Sequence, residues 1–161
     1  MKLLYFFLLL ATASISAQSL DAVRTSYVKV NEGDQAIAIF EKNLASVKED
    51  SSVKDAYNGA LMTLQSRLVK GVKNKKILFK DGVLLLEKAV LANSNNIEIR
   101  VIRLSIQENA PKFLKYRNDL DEDKNFILSN ISQTTSADVR KFVKGYVQQS
   151  SLFTDAEKSS F

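Results

Sequence analysis

The stretch VKDAYNGALMTLQSRL, residues 53–68, decides the fold class of this chain. Val53, Ala56, Tyr57, Ala60, Leu61, Leu64 and Leu68 recur at steps of three and four, the spacing that lines up one face of an α-helix. Ser52 and Asp55 stand in front of it at capping-box spacing, and Gly71 behind it is a natural stop. The same period continues outward in both directions. Towards the start, Leu20, Val23, Tyr27 and Val30 form a stripe that ends at Asn31-Glu32-Gly33. Asp34 then caps a second helix facing inward through Ala36, Ile37, Phe40, Leu44 and Val47.

Beyond residue 68 the pattern predicts a helix from about Lys76 to Ala92 and another over Ile97–Asn109. The latter stops ahead of Pro111, because the residue before a proline avoids helical geometry. A sixth helix starts near Asp119 and buries Leu120, Ile127 and Ile131. A seventh follows Thr134-Thr135-Ser136 with Val139, Phe142, Val143, Tyr146 and Val147 inward. Thr154 and Glu157 offer a capping box for a short terminal turn. No segment alternates as a strand does, and the chain holds only five glycines and one proline. The fold class is all-α.

Met1 to Ala17 has the layout of a secretory signal peptide: a basic start at Lys2, the apolar run Leu3–Leu10, then the small-residue stretch ATASISA. The apolar run is too short to span a bilayer, which takes about 20 residues. We therefore expect a signal peptide over 1–17 and a single all-α domain over 18–161, exported to the periplasm or secreted. No stable membrane span is expected after cleavage. Without its first 17 residues the chain keeps 22 basic and 18 acidic residues, a net charge of +4. There is no cysteine, so neither disulfides nor thiolate chemistry are available. There is no histidine either, which removes the usual proton carrier near neutral pH.

Two segments resemble each other. Ile39-Phe40-Glu41-Lys42-Asn43-Leu44 and Leu85-Leu86-Glu87-Lys88-Ala89-Val90 each close the second helix of a pair, 46 residues apart. Residues 33–42 (GDQAIAIFEK) and Glu87–Val90 followed by Asn93-Ser94-Asn95-Asn96 resemble the second helix of a tetratricopeptide repeat. That resemblance implies antiparallel helix pairs stacked as a short array with a curved ligand face. The alternative is an irregular helical bundle. The segment NIEIRVIRLSIQENAPKFLKY, residues 96–116, looks like small exported bacterial helical proteins, which implies a fold and a location but no chemistry.

Within that segment Arg100, Arg103 and Gln107 form a narrow polar stripe on an otherwise apolar helix. One reading is a groove for an acidic peptide, gripped by paired guanidinium hydrogen bonds, with Tyr57 and Tyr116 as aromatic anchors. The other is internal pairing with the acidic turn Asp119, Asp121, Glu122 and Asp123, since buried arginines are nearly always paired. Those acids lack the glycine and distant glutamate of a calcium loop and sit where a helix dipole welcomes negative charge. Lys70, Lys73, Lys75, Lys76 and Lys80 make a basic loop that offers an alternative binding mode, to an envelope surface or an anionic glycan or lipid. The run has no arginine and only Phe79 for stacking, which argues against nucleic acid.

For catalysis, Ser66 and Lys70 share helical spacing but have no glycine-rich oxyanion loop, and Glu41 and Glu87 fall on solvent-facing repeat positions. The expectation is a non-enzymatic module without cofactor or metal, whose partner is a protein or peptide.

Overall fold

The computed structural model of the chain describes residues 20–161; the predicted signal peptide lies outside them. The described residues are helical throughout, with no strand. They form α1 (20–27), α2 (Asp34–Ala45), α3 (Ser52–Gln65), α4 (Val72–Ala92), α5 (Ile97–Asn109), α6 (Leu120–Asn130), α7 (Ala137–Gln149) and α8 (Asp155–Ser159). No helix among them is long and apolar enough to cross a membrane. The described residues divide into two compact units, 20–50 and Ser51–Phe161.

The first unit contains α1 and α2. A 3-10 turn over Val30–Glu32 and Gly33, at φ 132°, reverse the chain between them. Tyr27 and Phe40 pack ring to ring at 5.2 Å, and the Asn43 side chain donates to the Ala22 carbonyl at 3.2 Å. Val23, Val30, Ile37, Leu44 and Val47 are buried with them.

The second unit is built on the antiparallel pair α3 and α4. Gly59 meets Gly82 and Leu86, and Gly82 meets Met62 and Thr63, so the two backbones approach as closely as peptide groups allow. A Cβ on Gly59 would lie 2.7 Å from the Gly82 carbonyl oxygen, and one on Gly82 would lie 2.6 Å from the Gly59 oxygen. No such contact fits without shifting a helix. Helix α5 is the centre of the unit, with ten of its thirteen residues buried. Its side chains reach α3 (Glu98 to Tyr57), α4 (Arg103 to Glu87), α6 (Arg100 to Asp123) and α7 (Glu108 to Tyr146). An apolar surface that wraps a helix is the mark of one packed on several sides.

The helix ends follow local chemistry. Ser51, one residue earlier than expected, caps α3 by accepting from the Lys54 amide, and Asn96 and Ser136 cap α5 and α7 in the same way. The capping box of Thr154 and Glu157 forms in full. Asp34, expected as a cap, is instead the first residue of α2 and follows Gly33 with no side-chain cap. Two further boundaries depart from the sequence reading. Helix α3 ends at Gln65 rather than reaching Leu68, and α4 begins at Val72 rather than Lys76. Ser66 turns back to donate to the Thr63 carbonyl at 2.6 Å, and Gly71, at φ 86°, makes the reversal into α4. Lysine is a good helix former, so nothing in Lys73–Lys76 resists the earlier start.

The glycine crossing gives a direct test. Gly59→Ala and Gly82→Ala should each destabilise the protein by about 1–3 kcal/mol through overpacking. Gly145→Ala, whose added methyl meets nothing within 4 Å, should gain about 0.5–1 kcal/mol. Urea unfolding of the three variants measures this, and equal effects at all three positions would contradict the crossing.

Candidate functional site

Arg100 and Arg103 lie one turn apart on α5, and both reach into the start of α6. Arg103 grips Asp123 with two bonds, Nε to Oδ2 at 2.7 Å and Nη2 to Oδ1 at 2.7 Å. Arg100 adds Nη1 to the same Oδ1 at 2.8 Å and to Glu122 at 2.6 Å, and its Nε donates to the Ser94 carbonyl at 2.8 Å. The Arg100 guanidinium also lies over the Phe126 ring, 5.0 Å from its centroid. Asp123 is fully buried, and the two arginines are 8% and 5% exposed. One turn along, Gln107 donates to Asp119 at 2.8 Å and accepts from the Asp119 amide at 3.1 Å.

Glu87 of α4 completes the cluster. It accepts from Arg103 at 3.2 Å and from the Tyr116 hydroxyl. This corrects the placement of Glu87 as solvent-facing: α4 lies against α5 here, so that face of α4 meets Arg103, while Glu41 is exposed. Burial works against the Arg103 charge, but its hydrogen bond to Asp123 and the charges of Asp123, Glu87 and Asp119 outweigh it and hold its pKa above the ordinary arginine value. Burial also raises the Tyr116 pKa, and the bond to Glu87 and that carboxylate's charge raise it further.

Four of the five sequence candidates (Arg100, Arg103, Gln107 and Tyr116) thus meet in one internal network. The fifth, Tyr57, is fully buried on another side of α5, donating to Glu98 at 2.8 Å and packing edge-on against Phe142 at 6.2 Å. Their hydrogen bonds are made within the fold, and Asp119, Glu122 and Asp123 face arginines while Asp121 is exposed. Among the described residues no group of three or more acidic side chains is arranged to hold a metal ion.

A different set of residues encloses open space. The end of α3, the start of α4, the end of α5 and the turn Pro111–Leu114 bound a groove of about 410 Å³. Phe79, Ile106 and Ala110 form its buried floor. Its lips are Val72 and Phe113, 81% and 76% exposed. Polar groups on the α3 wall are already satisfied, since Thr63 donates to Ala60 and Ser66 to Thr63. The rim is cationic: Arg67, Lys75 and Lys76 line the groove, and no acidic residue does. Lys75 donates to the Arg67 backbone carbonyl at 3.2 Å. Among the described residues none of these three cations pairs with a carboxylate. Helix α4 starts here with no acid in its first turn and no side-chain cap, so its positive end adds to the field.

The basic run is therefore not a loop. Only Lys70 lies in the turn, while Lys73, Lys75, Lys76 and Lys80 are helical and exposed. Lys75 and Lys76 face the groove; Lys70 borders a separate shallow hollow with Val69, Ile77 and Asp81. Ser66 and Lys70 accordingly do not share a helix face, because α3 has ended. The sequence reading missed Arg67 and Phe113. Arg67 stands three residues before the lysine run, and Phe113 sits two after the only proline, but nothing local brings them together. Comparison with protein-family models, curated proteins and solved structures finds no match for this chain.

The Tyr116–Glu87 bond predicts a pH effect. The unfolded chain releases the tyrosine proton near its ordinary value of 10.0, whereas the fold retains it. Stability from this group is therefore full below pH 10 and falls as pH rises further. Wild type should lose about 1.4 kcal/mol per pH unit more than Tyr116→Phe above pH 10. Denaturant unfolding at pH 9 to 11 checks this, and parallel curves for the two proteins would contradict it.

Proposed function

We propose that this protein is an exported binding module, acting in the periplasm or outside the cell, and that it receives a segment of a protein or peptide partner in the groove between α3, α4, α5 and the Pro111–Leu114 turn. The observation that carries this reading is the groove itself, a buried apolar floor of about 410 Å³ opening between two exposed apolar lips. That volume lies within the about 300–1,000 Å³ of ordinary ligand sites. Val72 and Phe113 extend the apolar surface outward beyond the floor. A small molecule sunk in the groove leaves those lips in water, whereas a chain laid across it covers them. Anchoring of a large side chain in a desolvated pocket is how interfaces concentrate binding energy.

The reading makes binding separable from stability. Asn109 stands exposed on the groove wall, and its amide makes only a bond back to the Ser105 carbonyl at 2.9 Å. Asn109→Trp should fill the groove with little effect on unfolding. Peptides enriched on the full chain from a displayed random library should bind wild type and weaken by about tenfold or more on Asn109→Trp at unchanged melting temperature. Enriched peptides that bind both proteins equally would place the site elsewhere and contradict this function.

A further inference from the structure

We infer that the occupant of this groove is an acidic segment carrying one large apolar side chain, with the apolar group on the Phe79 and Ile106 floor and its flanking carboxylates on Arg67, Lys75 and Lys76. The inference rests on the groove being a peptide site and adds the chemistry of the peptide. It is carried by the charge of the groove's lining, which is of one sign. The buried arginines Arg100 and Arg103 are neutralised by Asp123 and Glu122, and Lys124 binds Glu157 at 2.9 Å. Around the groove three cations converge without a carboxylate, and Lys75 is bonded to the backbone of Arg67 rather than to an acid.

Three cations lining one apolar groove raise the local positive potential, which low-dielectric walls concentrate. A partner bringing carboxylates meets that potential and gains charge-assisted hydrogen bonds, of which the Arg67 guanidinium can make two in parallel. A basic segment meets the opposite penalty, so the same rim selects against it. The apolar floor supplies affinity, and the rim supplies selection and salt dependence.

Calorimetric titration of the full chain with synthetic peptides tests this. The probes are an acidic peptide with a central leucine, the same peptide with alanine in place of leucine, and a lysine-for-acid counterpart of the first. The acidic leucine peptide should bind, the alanine version should weaken by about tenfold, and the lysine version should give no heat. Arg67→Gln with Lys76→Gln should weaken the acidic leucine peptide by about tenfold at unchanged melting temperature. Lys88→Gln with Lys141→Gln, an equal loss of charge at exposed positions outside the groove lining, should not. Equal binding of the acidic and lysine peptides would overturn the acidic preference while leaving the groove a peptide site. No heat with the acidic leucine peptide also overturns it, and the library-enriched peptides then show whether the groove still binds. Binding of vesicles containing phosphatidylglycerol, lost in Arg67→Gln with Lys76→Gln while no peptide binds, would overturn both readings in favour of a lipid surface.

Discussion

A single carboxylate constrains the second unit of this protein more than any other group. Asp123 is fully buried and accepts from Arg103 Nε and Nη2 and from Arg100 Nη1. A charge out of water is tolerated only when its partners are close and its lone pairs are filled, and here three short bonds do that. The geometry permits one register only. Arg100 and Arg103 are separated by one turn of α5, and a slip of α6 by one residue removes Asp123 from between them. The contribution of such a cluster lies less in net stability than in excluding other packings. Glu87 and Tyr116 extend the constraint, tying α4 and the segment after Pro111 to the same arginines.

The groove follows from how the helices around it pack and end. Gly59 and Gly82 draw α3 and α4 together in their middle, where bulkier residues would hold them apart. Towards the α3–α4 turn Thr63 and Phe79 line the opening, and α5 ends at Asn109 before it covers that corner. Pro111 and the left-handed Lys115, at φ 51°, then carry the chain around the opening. Arg100 and Arg103 are used inside the fold, whereas Arg67, Lys75 and Lys76 stand exposed around the groove.

Much of the helical layout could be read from periodicity and capping alone. The bounds of α5 follow from Asn96 and Pro111, and the terminal capping box from Thr154 and Glu157. What misled was the region from Ser66 to Lys76. Leu68 continues the period of α3, yet it is 45% exposed, because the chain turns as soon as Ser66 closes on Thr63. The polar stripe on α5 was legible, as was its acidic counterpart on α6. Sequence spacing alone could not say that the two meet, since Asp123 stands twenty positions after Arg103, beyond the turn at Pro111. The groove was not legible at all. It joins Arg67, Phe79, Ile106 and Phe113, from four separate segments, and no periodicity links them. Gly59 and Gly82 were equally silent, because a glycine within a helix signals a close approach only once its neighbour is known.

The measurement that bears most directly on this account is urea unfolding of Asp123→Ala beside Asp121→Ala. Asp121 stands exposed on the same turn of α6 and serves as the control for losing one acid at the helix start. The structure predicts a loss of about 3–5 kcal/mol for Asp123→Ala, which leaves two arginines buried without their shared partner. Asp121→Ala should stay within about 0.5 kcal/mol of wild type. Near-equal stability of the two variants would contradict the claim that one buried carboxylate sets the packing of α5 on α6.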